Sequence, residues 1–375
     1  MEDVTTFEIL PDEMILHVCQ YLRCSEILYS FFNLNSRLNS TITDICRYVT
    51  LTNATYKQFD FIVKQILPQI GLSIRSFVLN GKWENIMFNK INSRFFDLKL
   101  SLMFPQLHTL SLTNFTDTQL NLFLDKITDL LQLVKLDIRN LYSEHMQESL
   151  KKILAANNNR LKSVSFDYDS AYFILPAIGN DENISYPNIE ELAINVKTDK
   201  SLESLFTLVP HISRLYIDFD ELSSNSKSTL VNTLSLVHLK DFQLRSISIC
   251  WTLDEITYIL NKMSSLQRLA LDLCTEDINF ANGQNFIRIL PSSIVEIHLF
   301  IIYYFSDLHI KVDSWLSTWL THIRITCLLD ESNKYALIHT IPCNLRSIII
   351  PVTIANDMLI GSEYTRKRDP CGIEM

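Results

Sequence analysis

The sequence predicts an α/β protein in which a small N-terminal helical segment precedes a solenoid of about ten strand–helix units. The first observation is a six-residue pattern, apolar-x-x-apolar-x-apolar, that recurs through most of the 375 residues. The last positions of each copy have the two-residue period of a strand, whereas the segments between copies have a helical period. Hydrophobic residues make up 47 % of the chain, which is enough for a sizeable core.

The pattern begins at residue 74 with IRSFVL and continues almost to the end of the chain. Ten further copies are LHTLSL (107–112), LVKLDI (133–138), LKSVSF (161–166), IEELAI (189–194), ISRLYI (212–217), LRSISI (244–249), LQRLAL (266–271), IVEIHL (294–299), LTHIRI (320–325) and LRSIII (345–350). Neither the strand nor the helix of such a unit buries its apolar side alone, so neighbouring units must stack. An ordinary α/β domain is the alternative.

Three segments between the copies predict amphipathic helices. Residues 116–132 place apolar side chains one helical turn apart, and Thr116 or Asp117 is a suitable N-cap. Residues 143–159 and 252–265 have the same character.

The repeated segment resembles the leucine-rich-repeat family, L-x-x-L-x-L-x-x-N/C-x-L, over about residues 74–355. The first six positions match in every copy, whereas the Asn/Cys position matches only at Cys274. The resemblance implies a horseshoe-shaped solenoid of degenerate units whose concave strand surface holds a target protein.

Residues 1–50 lack the repeat and predict three short helices. Pro11 suits the start of the first helix, the second begins near Ser25 and carries an apolar stripe as far as Leu38, and the third covers residues 41–49. Apolar side chains cover roughly 220° of the first helix at ~100° per residue. Packing on one core requires a stripe of only about 100°. Part of this helix should therefore stay exposed until a partner covers it.

The N-terminal segment resembles an F-box over about residues 7–48. It has the motif Leu-Pro-x-Glu at residues 10–13, then pairs of apolar residues, an acid before Ile27, and Arg37 in the last part. The resemblance implies docking on the Skp adaptor, and through it on cullin, in an SCF ubiquitin ligase. The residues that would bind the adaptor or support that surface are Leu10, Pro11, Ile15, Leu16, Val18, Tyr21, Leu22, Ile27 and Leu28.

The sequence predicts no catalytic site, cofactor site or metal site. The six glycines lie too far apart for a phosphate-binding loop, and the nine histidines and eight cysteines form no C-x-x-C or H-E-x-x-H motif. The cysteines lie mainly in apolar stretches, which predicts reduced thiols in the cytoplasm or nucleus. The formal net charge of −9 argues against nucleic-acid binding, and the apolar run at residues 294–305 is too short and polar to span a membrane.

The polar residues that alternate with the apolar ones on each strand are the expected substrate surface. Asp167, Asp218 and Asp272 directly follow the last apolar residue of their copies and would form an interrupted acidic row for a basic segment. The alternative is that these charges only keep the surface soluble. The candidate substrate-binding residues are Asp137, Asp167, Tyr216, Asp218, Asp272 and Arg324.

The predicted organisation is an F-box domain at residues 1–50, a linker helix or solenoid cap at 51–73, a leucine-rich-repeat domain at 74–355 and a tail at 356–375. The combined resemblance implies a non-catalytic substrate receptor that presents an unidentified protein for ubiquitin-dependent degradation. Two alternatives stay open. One is a scaffold that binds the adaptor without ubiquitination, and the other is an enzyme with an unrecognised site on the strand surface.

Overall fold

The chain forms two compact units, Met1–Ala171 and Tyr172–Met375, each with parallel strands that alternate with helices. The α/β class is therefore confirmed. The computed structural model describes residues 10–83, 99–141, 146–175, 184–198, 201–221, 236–305, 318–319, 323–329 and 335–343. The predicted copy at 345–350 and the predicted tail at 356–375 lie outside these residues. The predicted domain limits stay predictions.

Three helices begin the first unit: α1 (Asp12–Cys19), α2 (Cys24–Phe31) and α3 (Ser36–Ile45). The predicted extents of the second and third helices are wrong. Asn33 has a left-handed φ of 69° after α2 ends, and Asn35 caps α3 by accepting a hydrogen bond from the Leu38 N–H at 2.8 Å. Leu38 therefore belongs to α3, and Tyr48–Thr50 form a strand.

Arg37 of α3 fixes the start of α1. Its Nη2 lies 2.7 Å from Asp12 Oδ1, and its guanidinium also donates to the Leu10 carbonyl oxygen. Asp12 is well placed in the first turn of α1, where the helix dipole favours a carboxylate. The core of this helical segment contains Ile15, Cys19, Ile27, Leu28, Phe32, Leu38 and Ile42.

The strands of the first unit are parallel and follow one another in chain order without a register shift. They are β1 (Tyr48–Thr50), β2 (Ser76–Asn80), β3 (Thr109–Thr113), β4 (Lys135–Arg139) and β5 (Ser163–Phe166). Because the register is constant, equal positions of the repeated pattern lie side by side, as Phe77, Leu110 and Leu136 do.

Helical segments connect these strands. They are α4 (Tyr56–Phe61), a π-helical turn (Ile62–Ile66), α5 (Leu67–Ile70), 3₁₀ turns at Gly71–Ser73 and Gly81–Trp83, α6 (Leu100–Met103), α7 (Asp117–Lys126), α8 (Met146–Leu154) and α9 (Ala156–Asn159). The predicted cap of α7 is confirmed, because Thr116 and Gln119 exchange side-chain hydrogen bonds with each other's backbone N–H.

The second unit begins with five parallel strands and ends in an antiparallel pair. The strands are β6 (Glu191–Thr198), β7 (Arg214–Glu221), β8 (Asp241–Cys250), β9 (Arg268–Thr275), β10 (Glu296–Tyr304), β11 (Ile325–Leu329) and β12 (Tyr335–Thr340). The helices are α10 (Ser201–Leu208), α11 (Leu253–Leu260), α12 (Ile278–Ala281) and α13 (Gly283–Arg288). The predicted helix in residues 252–265 is observed as α11, and Thr252 caps it.

The described part of the predicted copy at 320–325, residues 323–325, does not begin a further parallel strand. β12 pairs antiparallel with β10, and β11, which begins only at Ile325, pairs antiparallel with β12. The connection from Leu329 to Tyr335 is too short for the crossover helix that parallel strands require, so the chain turns back as a hairpin.

The pairing of β8 corrects the predicted copy at 244–249. Phe242 and Leu244 occupy the rows that the buried apolar pair of β7 occupies. The copy therefore begins at Leu239 and reads LKDFQL, which is 27 residues after the preceding copy at 212 and 27 before the next at 266. The later isoleucines also fit the six-residue pattern, but they lie where the pairing of β8 with β9 shifts.

The fourth and sixth pattern positions are buried in every strand from β2 to β9. Since successive side chains of a strand point to opposite faces, the third, fifth and seventh positions share the other face. We call this other face the polar face of each unit.

The corrected position of this repeat predicts which side chains of β8 support the core. Phe242 is fully buried, and Phe242→Ala should lower the free energy of unfolding by about 3–5 kcal/mol. Ile249 is only half-buried, so Ile249→Ala should cost about 1 kcal/mol. Urea unfolding followed by circular dichroism measures both. An equal or larger loss for Ile249→Ala would contradict the corrected position.

Candidate functional site

A small apolar surface lies on and just after α1. It is made of Met14, Val18, Tyr21 and Leu22, whose exposed fractions are 51, 36, 79 and 36 %. Met14 and Val18 lie one helical turn apart, so they share a face of α1. His17 also contacts Tyr21, with ring centroids 5.4 Å apart in an edge-to-face arrangement. We call these four apolar residues the α1 surface.

The residues predicted to bind the adaptor divide into two groups. Ile15, Ile27 and Leu28 are buried in the helical core, so they support the surface and do not lie on it. Pro11, Val18, Tyr21 and Leu22 are exposed, and Leu10 and Leu16 are half-buried. Met14 was not among the predicted residues, although its spacing from Val18 indicates the same face.

The acidic residues on the polar face of the first unit are held by neighbouring side chains. Asp137 is nearly buried, and its carboxylate accepts hydrogen bonds from Ser165 Oγ at 2.7 Å, Ser111 Oγ at 3.2 Å and Arg139 Nε at 2.7 Å. These bonds satisfy both oxygens of Asp137, so its charge is already compensated within the unit.

Asp167 has a similar structural role at the end of β5. Its Oδ1 accepts hydrogen bonds from the Asn140 N–H at 3.0 Å and from Ser170 Oγ. Asn140 has a left-handed backbone and donates through Nδ2 to Asn114 Oδ1 at 3.0 Å. This asparagine pair was not among the predicted residues, although both asparagines directly precede the position where the repeat consensus has Asn or Cys.

Asp218, Arg245 and Asp272 form a buried charge cluster on the polar face of the second unit. They occupy the seventh pattern position in β7, β8 and β9, so Arg245 lies between the two acids. Arg245 Nη2 lies 3.8 Å from Asp218 Oδ2, and Arg245 Nε lies 4.0 Å from Asp272 Oδ2. All three residues are buried, and Asp272 has no exposed surface.

Burial changes the protonation of this cluster. Burial raises the pKa of Asp272 to about 8, against the opposing effect of Arg245. Burial also raises the pKa of Asp218 to about 6, again against Arg245, and a hydrogen bond from Tyr172 favours its ionised form. Burial therefore favours the protonated form of Asp272 more strongly than that of Asp218.

The expectation that Asp272 and Asp218 face solvent is therefore wrong. The predicted acidic row left out Arg245, because the pattern at residues 244–249 was assigned five residues too late. A start at Leu239, midway between the starts at 212 and 266, gives equal spacings of 27 residues and places Arg245 in the row.

A charged groove lies where β7 to β10 begin. Its volume is about 490 Å³, within the range of binding clefts. The third pattern positions contribute Arg214, Asp241, Arg268 and Glu296. The residues just before them contribute Ser213, Lys240, Gln267 and Val295.

The acids of the charged groove are held by their neighbours. Asp241 Oδ2 lies 3.4 Å from Arg268 Nη1 and accepts a hydrogen bond from Tyr216 Oη at 3.3 Å. Glu296 contacts Arg268 Nε at 3.5 Å and His298 Nε2 at 2.6 Å. Arg268 therefore contacts both acids of the groove, Asp241 and Glu296.

None of the six predicted substrate-binding residues belongs to the lining of the charged groove. Tyr216 is half-buried, and burial together with Asp241 raises its pKa. It contacts the groove through its bond to Asp241. Arg324 is exposed just before β11.

Comparison with known proteins gives no family assignment. No model of a known protein family matches the chain, and a search of curated proteins finds no significant match. In the described part of the chain, no three His, Cys, Asp or Glu side chains are grouped to hold a metal ion. None of the helices described is long and apolar enough to cross a membrane.

The buried charge cluster predicts a pH dependence of stability. The pKa of Asp272 is raised in the folded state, so the folded chain binds more protons than the unfolded chain between about pH 4 and pH 8. The contribution of Asp272 to the free energy of unfolding is therefore fully present near pH 4 and is lost as the pH rises to about 8. Asp272→Asn removes the titrating group, so its stability relative to the parent chain should rise by at least about 2 kcal/mol between about pH 5 and pH 9.

Asp218→Asn is the matched control. Because the pKa of Asp218 is lower, the gain in stability of Asp218→Asn relative to the parent chain should be almost complete by about pH 7. Urea unfolding at three pH values measures both variants. A stability difference for Asp272→Asn that does not change with pH would contradict the assignment of a raised pKa to this carboxyl.

Proposed function

We propose that this chain is a substrate-recognition adaptor of an SCF-type ubiquitin ligase. In this proposal α1 to α3 form an F-box bundle that binds the Skp adaptor, and through it cullin. The repeated units form a leucine-rich-repeat solenoid that binds a target protein for ubiquitination. The observation that carries the proposal is the α1 surface, an exposed apolar patch beside the F-box-like motif.

The exposure of the α1 surface supports a role in docking. Its aromatic member, Tyr21, is 79 % exposed, and aromatic residues are frequent anchors of protein interfaces. The helix beneath it is already fixed by Ile15 and Cys19 in the core and by Arg37 at its start. A prearranged surface loses less conformational entropy on binding, which favours association.

The constant strand register supports the solenoid part of the proposal. Within each unit, successive copies of the pattern lie side by side, which is the arrangement that stacked repeats require. The polar face that results is wide, and such surfaces of repeat proteins are used for binding.

In this proposal the chain has no catalytic role of its own. It would act by proximity, because a bound target presents its lysines at a high local concentration to the charged ubiquitin carrier. The described cysteines are free thiols, in keeping with the proposed cytoplasmic or nuclear location.

Capture of the Skp adaptor by the full-length chain tests the proposal. Val18→Asp with Tyr21→Asp places two carboxylates on the α1 surface, and we expect capture to fall at least about tenfold. Leu131→Asp with Tyr168→Asp is the matched control, because these side chains are 68 and 52 % exposed elsewhere in the same unit. Both double variants should unfold at the same urea concentration as the parent chain.

The composition of the captured complex separates the alternatives. Cullin together with the adaptor is expected for the ligase receptor. The adaptor alone would favour the scaffold. No capture by the parent chain, or equal loss in both double variants, would contradict the proposal.

A further inference from the structure

Two cations of the charged groove lie beyond ion-pair distance of every described acid, although Arg214 is in register with Glu191 on one side and Asp241 on the other. Arg214 and Lys240 are exposed side chains that line the groove on β7 and just before β8. Among the residues described, neither makes an ion pair or a side-chain hydrogen bond. Arg268, in contrast, is shared between two acids. The groove therefore presents positive charge at its β7–β8 end.

The other end of the groove is apolar. Val295, just before β10, is 86 % exposed, the highest exposure of any large hydrophobic side chain described. β7 and β10 are separated by three strand spacings, or about 14 Å. An extended peptide covers this distance in about four residues.

We propose that the charged groove binds an extended acidic peptide segment with an apolar residue about four positions after its acids. Arg214 and Lys240 pair with the acidic side chains, and Val295 contacts the apolar one. The role of this segment as part of the ubiquitination target rests on the proposed function. The binding itself does not.

The charge of the chain favours a peptide over a nucleic acid. A groove that binds phosphate backbones usually lies in a basic domain, whereas this chain has a formal net charge of −9. Asp241 and Glu296 would also repel a continuous run of phosphates along the groove. An acidic segment of two or three residues contacts only the cationic end.

Fluorescence anisotropy with the full-length chain tests the inference. The probe is the labelled peptide Gly-Asp-Glu-Ser-Gly-Ser-Leu-Gly. Arg214→Glu with Lys240→Glu should weaken its binding at least about tenfold, because both cations are replaced by acids. Lys57→Glu with Arg288→Glu is the control, since it makes the same change in net charge at two exposed positions outside the groove. The control should bind like the parent chain.

Further probes test the apolar contact and the chemistry of the ligand. A peptide with serine in place of leucine should bind more weakly to the parent chain but equally to Val295→Ser. A peptide with two lysines in place of the acids, and a single-stranded oligonucleotide, should bind at least about tenfold more weakly than the probe. Binding should also weaken as salt rises from about 50 to 500 mM.

Three results would overturn the inference: equal weakening by the two charge-reversal pairs, tight binding of the lysine peptide, or tighter binding of the oligonucleotide. Val18→Asp with Tyr21→Asp should leave peptide binding unchanged, because the α1 surface has no part in it. Loss of peptide binding and loss of adaptor capture are thus separate results, and each proposal fails independently.

Discussion

In-register pairing of parallel strands is the constraint on which the polar face depends. Neighbouring strands lie about 4.8 Å apart, so residues at equal pattern positions form continuous rows. Like charges side by side in such a row repel, and opposite charges attract. The sequence of the second unit obeys this rule at the third pattern position, where the row reads Glu191, Arg214, Asp241, Arg268 and Glu296.

Charges also alternate at the seventh pattern position, but there the charged residues are buried. Asp218, Arg245 and Asp272 alternate in charge as the groove residues do. However, Asp272 pairs in register with Phe300, which belongs to an apolar cluster on the same face. That cluster contains Cys274, Phe300, Ile302, Tyr335, Leu337 and Cys343. The polar face therefore becomes apolar toward β12, and burial raises the pKa of Asp272.

The antiparallel strand β12 explains part of this change. Its pairing with β10 places Leu337 beside Ile302 and Tyr335 beside Tyr304. A further parallel unit at this place would have added another position of the polar row. Instead, the hairpin adds apolar side chains, so the low-dielectric surroundings extend to the carboxyl of Asp272.

The sequence was sufficient for features that depend on neighbours along the chain. The α/β class, the cap at Thr116 and the helix within residues 252–265 follow from local spacing and side-chain chemistry, and they were predicted correctly. Two features depend on the partner strand and were missed. Both Leu239 and Leu244 begin a match to the six-residue pattern, and only the pairing with β7 distinguishes them. The hairpin of β11 and β12 likewise becomes evident only from strand pairing.

The charge expected of the ligand changes from basic to acidic once the contacts of the acidic side chains within the chain are known. Counting acids on the strands predicts a basic ligand, because Asp167, Asp218 and Asp272 recur at one position. Yet Asp167 accepts hydrogen bonds from neighbouring groups, and the other two are buried beside Arg245. A charge that is already compensated contributes little to a partner, because the partner would have to displace an existing interaction.

What remains for a partner is the charge that the chain has not paired. In the charged groove, Arg214 and Lys240 form no ion pair with a described residue, and both are exposed. Their attraction for a ligand is screened by salt. Burial of the α1 surface against an adaptor depends on apolar area, which salt does not screen. The two proposed attachments thus rest on different forces, and ionic strength alone would loosen the target while leaving the adaptor bound.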